Sequence, residues 1–202
     1  MTDACMPILV CTNNQGKAEE ISKILGGIDT VTLKDRGIEL DVDEDQQTLE
    51  GNALKKARAG MEASGLPTIG DDTGLFIDAL DGEPGLKVRR WPGYEAEDEE
   101  LIDLCLEKLE GVPLEKRTAR FTTAMVYVDP DGNKIAVEGH LNGRITEART
   151  AEYKPGLPFD TIFWAEDVGA TLAERYDKKS ELSHRVRAGK KLAQKLKDQS
   201  LI

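Results

Sequence analysis

An almost unbroken apolar run, Pro7–Thr12, lies near the start of the chain. A run of this kind is typical of a central strand in a sheet that is covered on both faces. A short polar segment follows it. The next apolar residues recur with helical spacing from Ala18 to Leu25, and Gly26 and Gly27 end the helix. The chain therefore begins with a strand, a loop and a helix.

The later segments mix strand and helix patterns. We predict strands at Thr30–Leu33, Pro67–Ile69, Phe121–Val128, Ile135–His140 and Thr161–Trp164, with Leu75–Ile77 as the continuation of Pro67–Ile69 or a strand of its own, and helices at Leu49–Ser64, Glu97–Gly111 and Lys179–Lys197. The chain has 202 residues, 39% of them hydrophobic, and no internal repeat or Ser-rich linker divides it. This is enough for a hydrophobic core without disulfides. The patterns predict a mixed α/β fold in a single domain that spans residues 1–202.

The composition limits the partners of the protein. The chain carries a formal net charge of −11, and only 5% of its residues are aromatic. Binding to duplex nucleic acid depends on neutralising phosphates, and no basic stripe is interleaved with aromatic residues. We therefore predict no nucleic-acid partner. The charge is uneven, with acidic runs at 41–45 and 95–103 and a basic segment at 178–197. This distribution fits a metal site beside a polyphosphate site, or two solvated helix faces.

Three cysteines, Cys5, Cys11 and Cys105, have no close spacing and cannot all pair. This pattern favours a reducing compartment over a disulfide framework or a zinc site. No segment approaches the roughly 18 consecutive apolar residues of a membrane-spanning helix. We expect a soluble, cytoplasmic protein without a membrane partner.

The polar segment Asn13–Lys17 joins the first strand to the first helix. A Gly-containing loop in this place directs backbone N–H groups and the positive end of the helix dipole at an anion, and Lys17 adds a charge. The Gly-x4-Gly-Lys-Ser/Thr spacing of a Walker A loop is absent. The segment is a phosphate-binding loop of another kind, or an ordinary strand–helix connection.

Asp71 and Asp72 are adjacent carboxylates at the end of a predicted buried strand. Such carboxylates are typical ligands of Mg²⁺, which takes one or two of them and keeps several waters. Successive side chains on extended backbone point to opposite sides, so we expect one aspartate to face the core and the other a cleft. Glu44 is a candidate for a second metal carboxylate. The alternatives are a solvated acidic turn with Gly74 at positive φ, and a solvated acidic loop around Glu44.

Four separated segments match one family pattern in order and spacing. They are Thr12-Asn13-Asn14-Gln15-Gly16-Lys17; Glu44 with Thr48, Asn52-Ala53 and Lys56-Ala57; Leu66-Pro67 with Gly70-Asp71-Asp72-Thr73-Gly74-Leu75, Pro84-Gly85 and Arg90; and Lys179-Ser180 with Ser183-His184-Arg185. From about residue 7 to residue 196, the chain resembles the inosine/xanthosine triphosphate pyrophosphatases. These enzymes hydrolyse non-canonical purine nucleoside triphosphates to the monophosphate and pyrophosphate.

The resemblance implies an elongated central sheet flanked by helices, and two lobes with an active-site cleft between them. It also implies Mg²⁺ as the cofactor, with Mn²⁺ as an alternative, and a homodimer that acts on a nucleoside triphosphate. Glu44 and Asp72 would hold the metal with support from Asp71, and Asp72 would act as the general base, with Lys56 as a second catalytic residue. The implied substrate-binding residues are Thr12, Asn14, Lys17, Thr73, Gly74, Leu157, Phe159, Asp160, Lys179, Ser183, His184 and Arg185.

Two of these residues bear on base specificity. By the resemblance, donors near His184 and Arg185 reward a carbonyl at position 6 of the purine. An amino group there is penalised because buried N–H groups go unpaired. Alternatively, His184 has no role in base recognition and is only a capped histidine at the start of a helix.

The segment Pro155–Thr161 departs from the family pattern of Gly-Gly-Phe-Gly-aromatic-Asp-Pro. The aromatic Phe159 and the carboxylate Asp160 are kept. Leu157 stands where an aromatic ring commonly stacks on the purine, and losing such a ring costs about 1 kcal/mol or more. Pro158 replaces a glycine, fixes φ and removes an N–H.

These motifs predict a Mg²⁺-dependent hydrolase that cleaves the α–β phosphoanhydride of ITP, dITP and XTP. Two alternatives are left open: the same chemistry with a base preference shifted by Leu157 and Pro158, and a nucleotide-binding protein without turnover. A protein that only binds nucleotides would not need a pair of metal carboxylates, which favours the enzyme.

Overall fold

The computed structural model of the protein describes residues 6–202. In chain order the elements are β1 (Ile8–Cys11), α1 (Gln15–Ile24), β2 (Thr30–Thr32), α2 (Leu49–Ser64), β3 (Thr68–Ile77), β4 (Pro84–Gly85), α3 (Asp98–Lys108), β5 (Thr118–Val128), β6 (Lys134–Ile145), β7 (Phe163–Ala165), β8 (Ala170–Thr171), α4 (Tyr176–Leu182) and α5 (His184–Asp198). Short 3₁₀ turns occur at Asp78–Leu80, Leu114–Lys116 and Pro158–Thr161.

The strands form one mixed sheet in the order β2-β1-β3-β5-β6-β7-β8, with β4 beside β3. β1 pairs in parallel with β2 and with β3, and Val10 lies opposite Thr32 on one side and Ile69 on the other. β7 pairs antiparallel with β6 and β8. Helices connect the parallel strands, as such crossovers require. The predicted fold class, mixed α/β with a central sheet flanked by helices, is confirmed.

The described residues divide into two compact units. Unit 1 contains the segment that ends at Asp72, together with Thr123–Gly139 and Arg185–Ile202, and unit 2 contains Thr73–Thr122 and His140–His184. Strands β3, β5 and β6 each pass from one unit into the other. That both units serve one functional domain stays a prediction.

Unit 1 is built around β1, whose side chains alternate between two apolar clusters. The larger cluster contains Ile8, Val10, Ala18, Ile21, Leu25, Ile69, Met125, Tyr127, Ile135, Val137, Ala188, Leu192 and Leu196. Leu9 and Cys11 belong to a smaller cluster with Leu33 and Leu66. Both faces of the strand are therefore buried, as its apolar run predicts.

Helix α2 has the predicted bounds, because both of its ends carry recognisable capping residues. The Thr48 side chain accepts a hydrogen bond from the Gly51 N–H, and Gly65 ends the helix at a φ of 70°. The helix lies close against β3 at Gly70. A Cβ on Gly70 would lie 2.2 Å from the Ala53 carbonyl oxygen and 2.7 Å from the Ala57 nitrogen. Only glycine fits this contact, which fixes α2 next to Asp71 and Asp72.

Unit 2 has a separate core that includes Leu75, Ile77, Leu101, Ile102, Cys105, Leu109, Phe121, Leu141, Ile145, Phe159, Ile162 and Phe163. Helix α3 contributes its apolar side to this core, and a capping box between Glu97 and Glu100 stabilises its first turn. The Phe121 and Phe163 rings pack with their centroids 4.6 Å apart. The predicted strand over 121–128 is longer than expected, and β5 begins at Thr118.

Two details of the chain differ from expectations considered on sequence. The alternative of a solvated turn at Asp71–Gly74 is excluded, because β3 runs without a break from Thr68 to Ile77. The predicted last helix over Lys179–Lys197 is two helices. The break is at Ser183, which has extended backbone angles of φ −61° and ψ 161° between α4 and α5.

Cys11 and Cys105 are both free and buried, as their spacing predicts, and Cys5 lies outside the described residues. Burial raises the pKa of the Cys11 thiol to about 11 and that of Cys105 to about 12. Both thiols are therefore protonated and unreactive at neutral pH. In residues 6–202, each helix is too short or too polar to cross a membrane.

Candidate active site

The loop before α1 is arranged as a helix cap. The Asn14 side chain accepts a hydrogen bond from the Lys17 N–H at 3.0 Å, and the Asn14 N–H donates to Thr12 Oγ1 at 3.2 Å. These bonds begin the helix at Gln15, three residues before its first buried residue, Ala18. The positive end of the helix dipole and the Lys17 ammonium are therefore near one another, a combination that attracts anions.

Asp71 is buried, with 1% of its side chain exposed, and is surrounded by cations. Its Oδ2 lies 3.3 Å from Lys17 Nζ and 3.6 Å from Arg185 Nε, and Arg185 also pairs with Glu20. Burial alone would raise the pKa of Asp71, but Lys17 and Arg185 outweigh it and hold the pKa below its usual range. Asp71 is therefore a fixed negative charge that ties the start of α1 to the start of α5.

Asp72 is also buried and contacts α2. Its Oδ2 accepts a hydrogen bond from Asn52 Nδ2 at 3.0 Å, and its Oδ1 lies 3.2 Å from Lys56 Nζ. Burial raises the pKa of Asp72, against the opposing effect of the Lys56 ammonium. Asp72 is thus a buried carboxylate held by one amide and one ammonium, a position that suits a general base.

Lys56 joins three groups of this cluster. Its Nζ pairs with Glu44 Oε1 and with Asp72, and it donates to the Asp71 carbonyl oxygen at 3.0 Å. Burial favours the neutral amine, but Asp72, Asp71 and Glu44 together raise the pKa of Lys56 above its usual value. The side chain is therefore charged. Through Lys56, Glu44 and Asp72 lie in one cluster. This favours the metal-carboxylate interpretation of Glu44 over a solvated acidic loop.

The two aspartates have different partners, as side-chain alternation along a strand predicts. We expected only one of the two carboxylates to face the core, but both are buried. Asp71 and Asp72 are 1% and 3% exposed. Both can be buried because each carboxylate has its own cation, Lys17 for the first and Lys56 for the second.

The donor set at this cluster fits a divalent cation that keeps other ligands. Within residues 6–202, no group of three or more His, Cys, Asp or Glu side chains is arranged to hold a metal ion alone. Glu44 and Asp72 nevertheless share one cation, Lys56, between their oxygens. Mg²⁺ is bound through one or two carboxylates together with waters and substrate phosphates, so two carboxylates suffice.

In unit 2, Asp160 and Lys179 form a buried ion pair. The exposed fraction is 4% for Asp160 and 2% for Lys179, and the Tyr176 ring lies 5.4 Å from Lys179 Nζ. The pair joins the segment around Pro158–Thr161 to α4. Breaking a buried pair by removing one partner typically costs about 3–5 kcal/mol, so this contact fixes the position of the loop that carries Leu157.

His184 and Ser183 lie at the break between α4 and α5. The His184 ring stacks on Phe121 with centroids 4.7 Å apart and planes inclined by 22°. Both His184 and Ser183 are buried. The stacking places the imidazole firmly, which suits a positioned donor as well as a packed residue that begins a helix.

The other substrate residues expected in unit 2 differ in exposure. Phe159 is only 3% exposed, and its ring packs 6.4 Å from that of Trp91, so it belongs to the core. Leu157 and Thr73 are half-buried. Gly74 has a packing reason, since a Cβ there would lie 2.7 Å from the Gly85 carbonyl oxygen.

Sequence reasoning missed two residues that hold the unit 1 cluster together. Asn52 stands in a motif that supports the resemblance, and the structure gives it a hydrogen bond to Asp72. Glu20 pairs with Arg185, which is 165 positions away in the chain. The Asn52 motif could have suggested a role, whereas nothing in one sequence connects Glu20 with Arg185.

The chain belongs to the Ham1 family, whose model matches residues 8–195. This confirms the family predicted from the four motifs. One similar protein is the dITP/XTP pyrophosphatase of Geobacter sulfurreducens, which is 39% identical over 90% of this chain and 92% of its own. The dITP/XTP pyrophosphatase of Bacillus subtilis is 38% identical over 93% and 96%. Both relatives are named as hydrolases of nucleoside triphosphates, in agreement with the predicted enzyme class.

A solved structure confirms the fold independently. The Staphylococcus aureus Ham1 protein superposes with a TM-score of 0.81 and 30% identity, over 96% of this chain and 99% of that one. A match of this extent covers both compact units of the protein.

Proposed function

We propose that the protein is a Mg²⁺-dependent pyrophosphatase that converts ITP, dITP or XTP to the monophosphate and pyrophosphate. The observation that carries this proposal is the charged cluster of unit 1. There Lys17 pairs with Asp71, and Lys56 pairs with Glu44 and Asp72. The names of the relatives support the substrate class. Buried carboxylates held among lysines supply both the base and the cations that phosphoanhydride cleavage needs.

Binding of the triphosphate would fall to residues that carry or direct positive charge. Lys17 and the N–H groups at the start of α1 would contact phosphate oxygens, with Thr12 and Asn14 fixing the loop. Lys56 would neutralise charge that develops as the α–β bond breaks. Asp72 would take the proton of the attacking water.

Glu44 and Asp72 would hold the metal ion, with Asp71 as a charged support. Mg²⁺, or Mn²⁺ in its place, supplies charge neutralisation at the phosphates and lowers the pKa of water at the site when it is bound. Asn52 would orient Asp72 through its hydrogen bond.

We further propose that the base is bound at the segment Ser183-His184-Arg185. Ser183 and His184 directly precede Arg185 in the sequence. The Asp160–Lys179 ion pair would hold the loop that carries Leu157. Further contacts to the substrate would come from Leu157, Phe159, Thr73 and Gly74. Since Phe159 is packed in the core, Leu157 is the more accessible apolar side chain of the loop. A cytoplasmic homodimer completes the proposal, by resemblance to the family.

The test is pyrophosphate release with Mg²⁺ from ITP, dITP, XTP, GTP, ATP, dUTP and CTP. We expect ITP, dITP and XTP to be preferred, because the donors near Arg185 pair with a carbonyl at position 6. A shifted or flat preference would mean that Leu157 and Pro158 alter the base pocket. Absence of release from every nucleotide would contradict the proposed function.

A further inference from the structure

Lys56 stands between the two carboxylates that are proposed to hold the metal. Its Nζ pairs with Glu44 Oε1 and lies 3.2 Å from Asp72 Oδ1. The Lys56 side chain is 12% and the Asp72 side chain 4% exposed, so water screens that pair poorly, whereas Glu44 is 40% exposed. The ammonium also donates to the Asp71 carbonyl oxygen at 3.0 Å, which fixes its position on the backbone of β3. A cation of the protein itself thus lies among the metal-binding oxygens.

The charges of the cluster around Lys56 and Asp71 are nearly balanced in this state. Four carboxylates, on Glu20, Glu44, Asp71 and Asp72, face three cations, on Lys17, Lys56 and Arg185, which leaves a formal charge of −1. A divalent cation added alone would make the cluster positive. A triphosphate brings several negative charges, so the cation and the nucleotide together suit the cluster better than the cation alone.

We propose that Lys56 is an internal counter-ion that competes with the divalent metal for Glu44 and Asp72 until a nucleoside triphosphate engages its ammonium. The inference rests on the proposed function, since it assumes that these two carboxylates hold the metal. It makes metal binding by the free protein weak and couples it to the arrival of substrate. The free protein would then carry little of the metal until a nucleoside triphosphate is bound.

The test compares the Mn²⁺ affinity of the wild type and of variants in the absence of nucleotide. Binding is measured from the electron paramagnetic resonance signal of the free ion. The variants are Lys56→Met, which keeps most of the length of the side chain without charge, and Lys56→Arg, which keeps the charge. Lys55→Met is the matched control, because Lys55 is the residue before Lys56 in α2 and pairs with the exposed Asp45 at 3.0 Å. Circular dichroism and the melting temperature check that each variant is folded.

We expect Lys56→Met to bind Mn²⁺ about tenfold or more tightly than the wild type, since the ammonium that pairs with both Glu44 and Asp72 is lost. Lys56→Arg and Lys55→Met should bind as weakly as the wild type. The α,β-methylene analogue of ITP should increase protein-bound Mn²⁺ far more in the wild type than in Lys56→Met. Equal Mn²⁺ affinity in the wild type and Lys56→Met would overturn the inference.

The failure of this inference and that of the proposed function have different signatures. Pyrophosphate release by the wild type, with no gain of Mn²⁺ affinity in Lys56→Met, would overturn the counter-ion and leave the function standing. A gain of affinity in a protein that cleaves no nucleotide would support the counter-ion and contradict the function.

Discussion

Replacing Asp72 with asparagine is expected to abolish pyrophosphate release. The amide has the shape of the carboxylate but cannot accept the proton of the attacking water, and general bases contribute typically about 10²–10⁴-fold to a rate. It would also weaken the metal site, which adds to the loss. Asn52 and Lys56 bond different oxygens of Asp72, at 3.0 and 3.2 Å, so the single asparagine oxygen can keep one of these bonds, while Lys56 also keeps its pair with Glu44. The variant should therefore remain folded.

Asp45→Asn is the matched control for this variant. Asp45 is the carboxylate next to Glu44 in sequence, but its side chain is 59% exposed and pairs with Lys55 on the surface. We expect this variant to keep activity close to that of the wild type in the same assay of Mg²⁺-dependent pyrophosphate release. If Asp72→Asn retained near wild-type turnover, Asp72 would not be the general base.

Gly70→Ala is expected to be the most damaging substitution for the fold. The new Cβ would lie 2.2 Å from the carbonyl oxygen of Ala53 and 2.7 Å from the nitrogen of Ala57, and neither backbone atom can rotate away. Helix α2 must then move off β3. We expect a loss of about 3 kcal/mol in the free energy of unfolding, which corresponds to a melting temperature lower by about 6–12 °C in a chain of this size.

Activity should fall with stability in this variant, because α2 carries Asn52 and Lys56, which both bond the Asp72 carboxylate. Gly26→Ala is the control. Its Cβ would meet only the Lys23 carbonyl oxygen, at 3.2 Å, where α1 ends. Thermal unfolding followed by circular dichroism checks both variants. A Gly70→Ala protein that melts with the wild type would show that the close contact of α2 with β3 is not needed.

Several elements were predictable because local chemistry decides them. Thr48 and Gly65 mark the ends of α2, and both ends are where the sequence places them. The apolar run over Pro7–Thr12 indicates a strand buried on two faces, and β1 meets that description. In each case the signal lies within a few residues of the feature that it predicts.

Other features depend on contacts between distant residues. Asp71–Gly74 has the composition of a turn, yet pairing within the sheet and the packing at Gly70 and Gly74 keep it extended. The break at Ser183 interrupts a segment with good helical periodicity. The burial of both aspartates depends on Lys17 and Lys56, which reach them from two different helices. None of these contacts can be derived from sequence spacing.

The candidate site was largely indicated by the family motifs, but the motifs do not give its internal order. They name Lys56 and Asp72 without indicating that Lys56 also pairs with Glu44. They suggest an aromatic role for Phe159, whereas its ring packs against Trp91 in the core of unit 2. Packing of this kind depends on the whole unit, so a pattern of residues cannot supply it.

The most direct measurement of the central claim is the identity of the products. ITP incubated with the protein and Mg²⁺ should give inosine monophosphate and pyrophosphate as the only products in the ³¹P NMR spectrum, because the α–β phosphoanhydride is the bond proposed to break. Inosine diphosphate and orthophosphate would mean that the terminal phosphate is removed instead. That result would contradict the proposed pyrophosphatase.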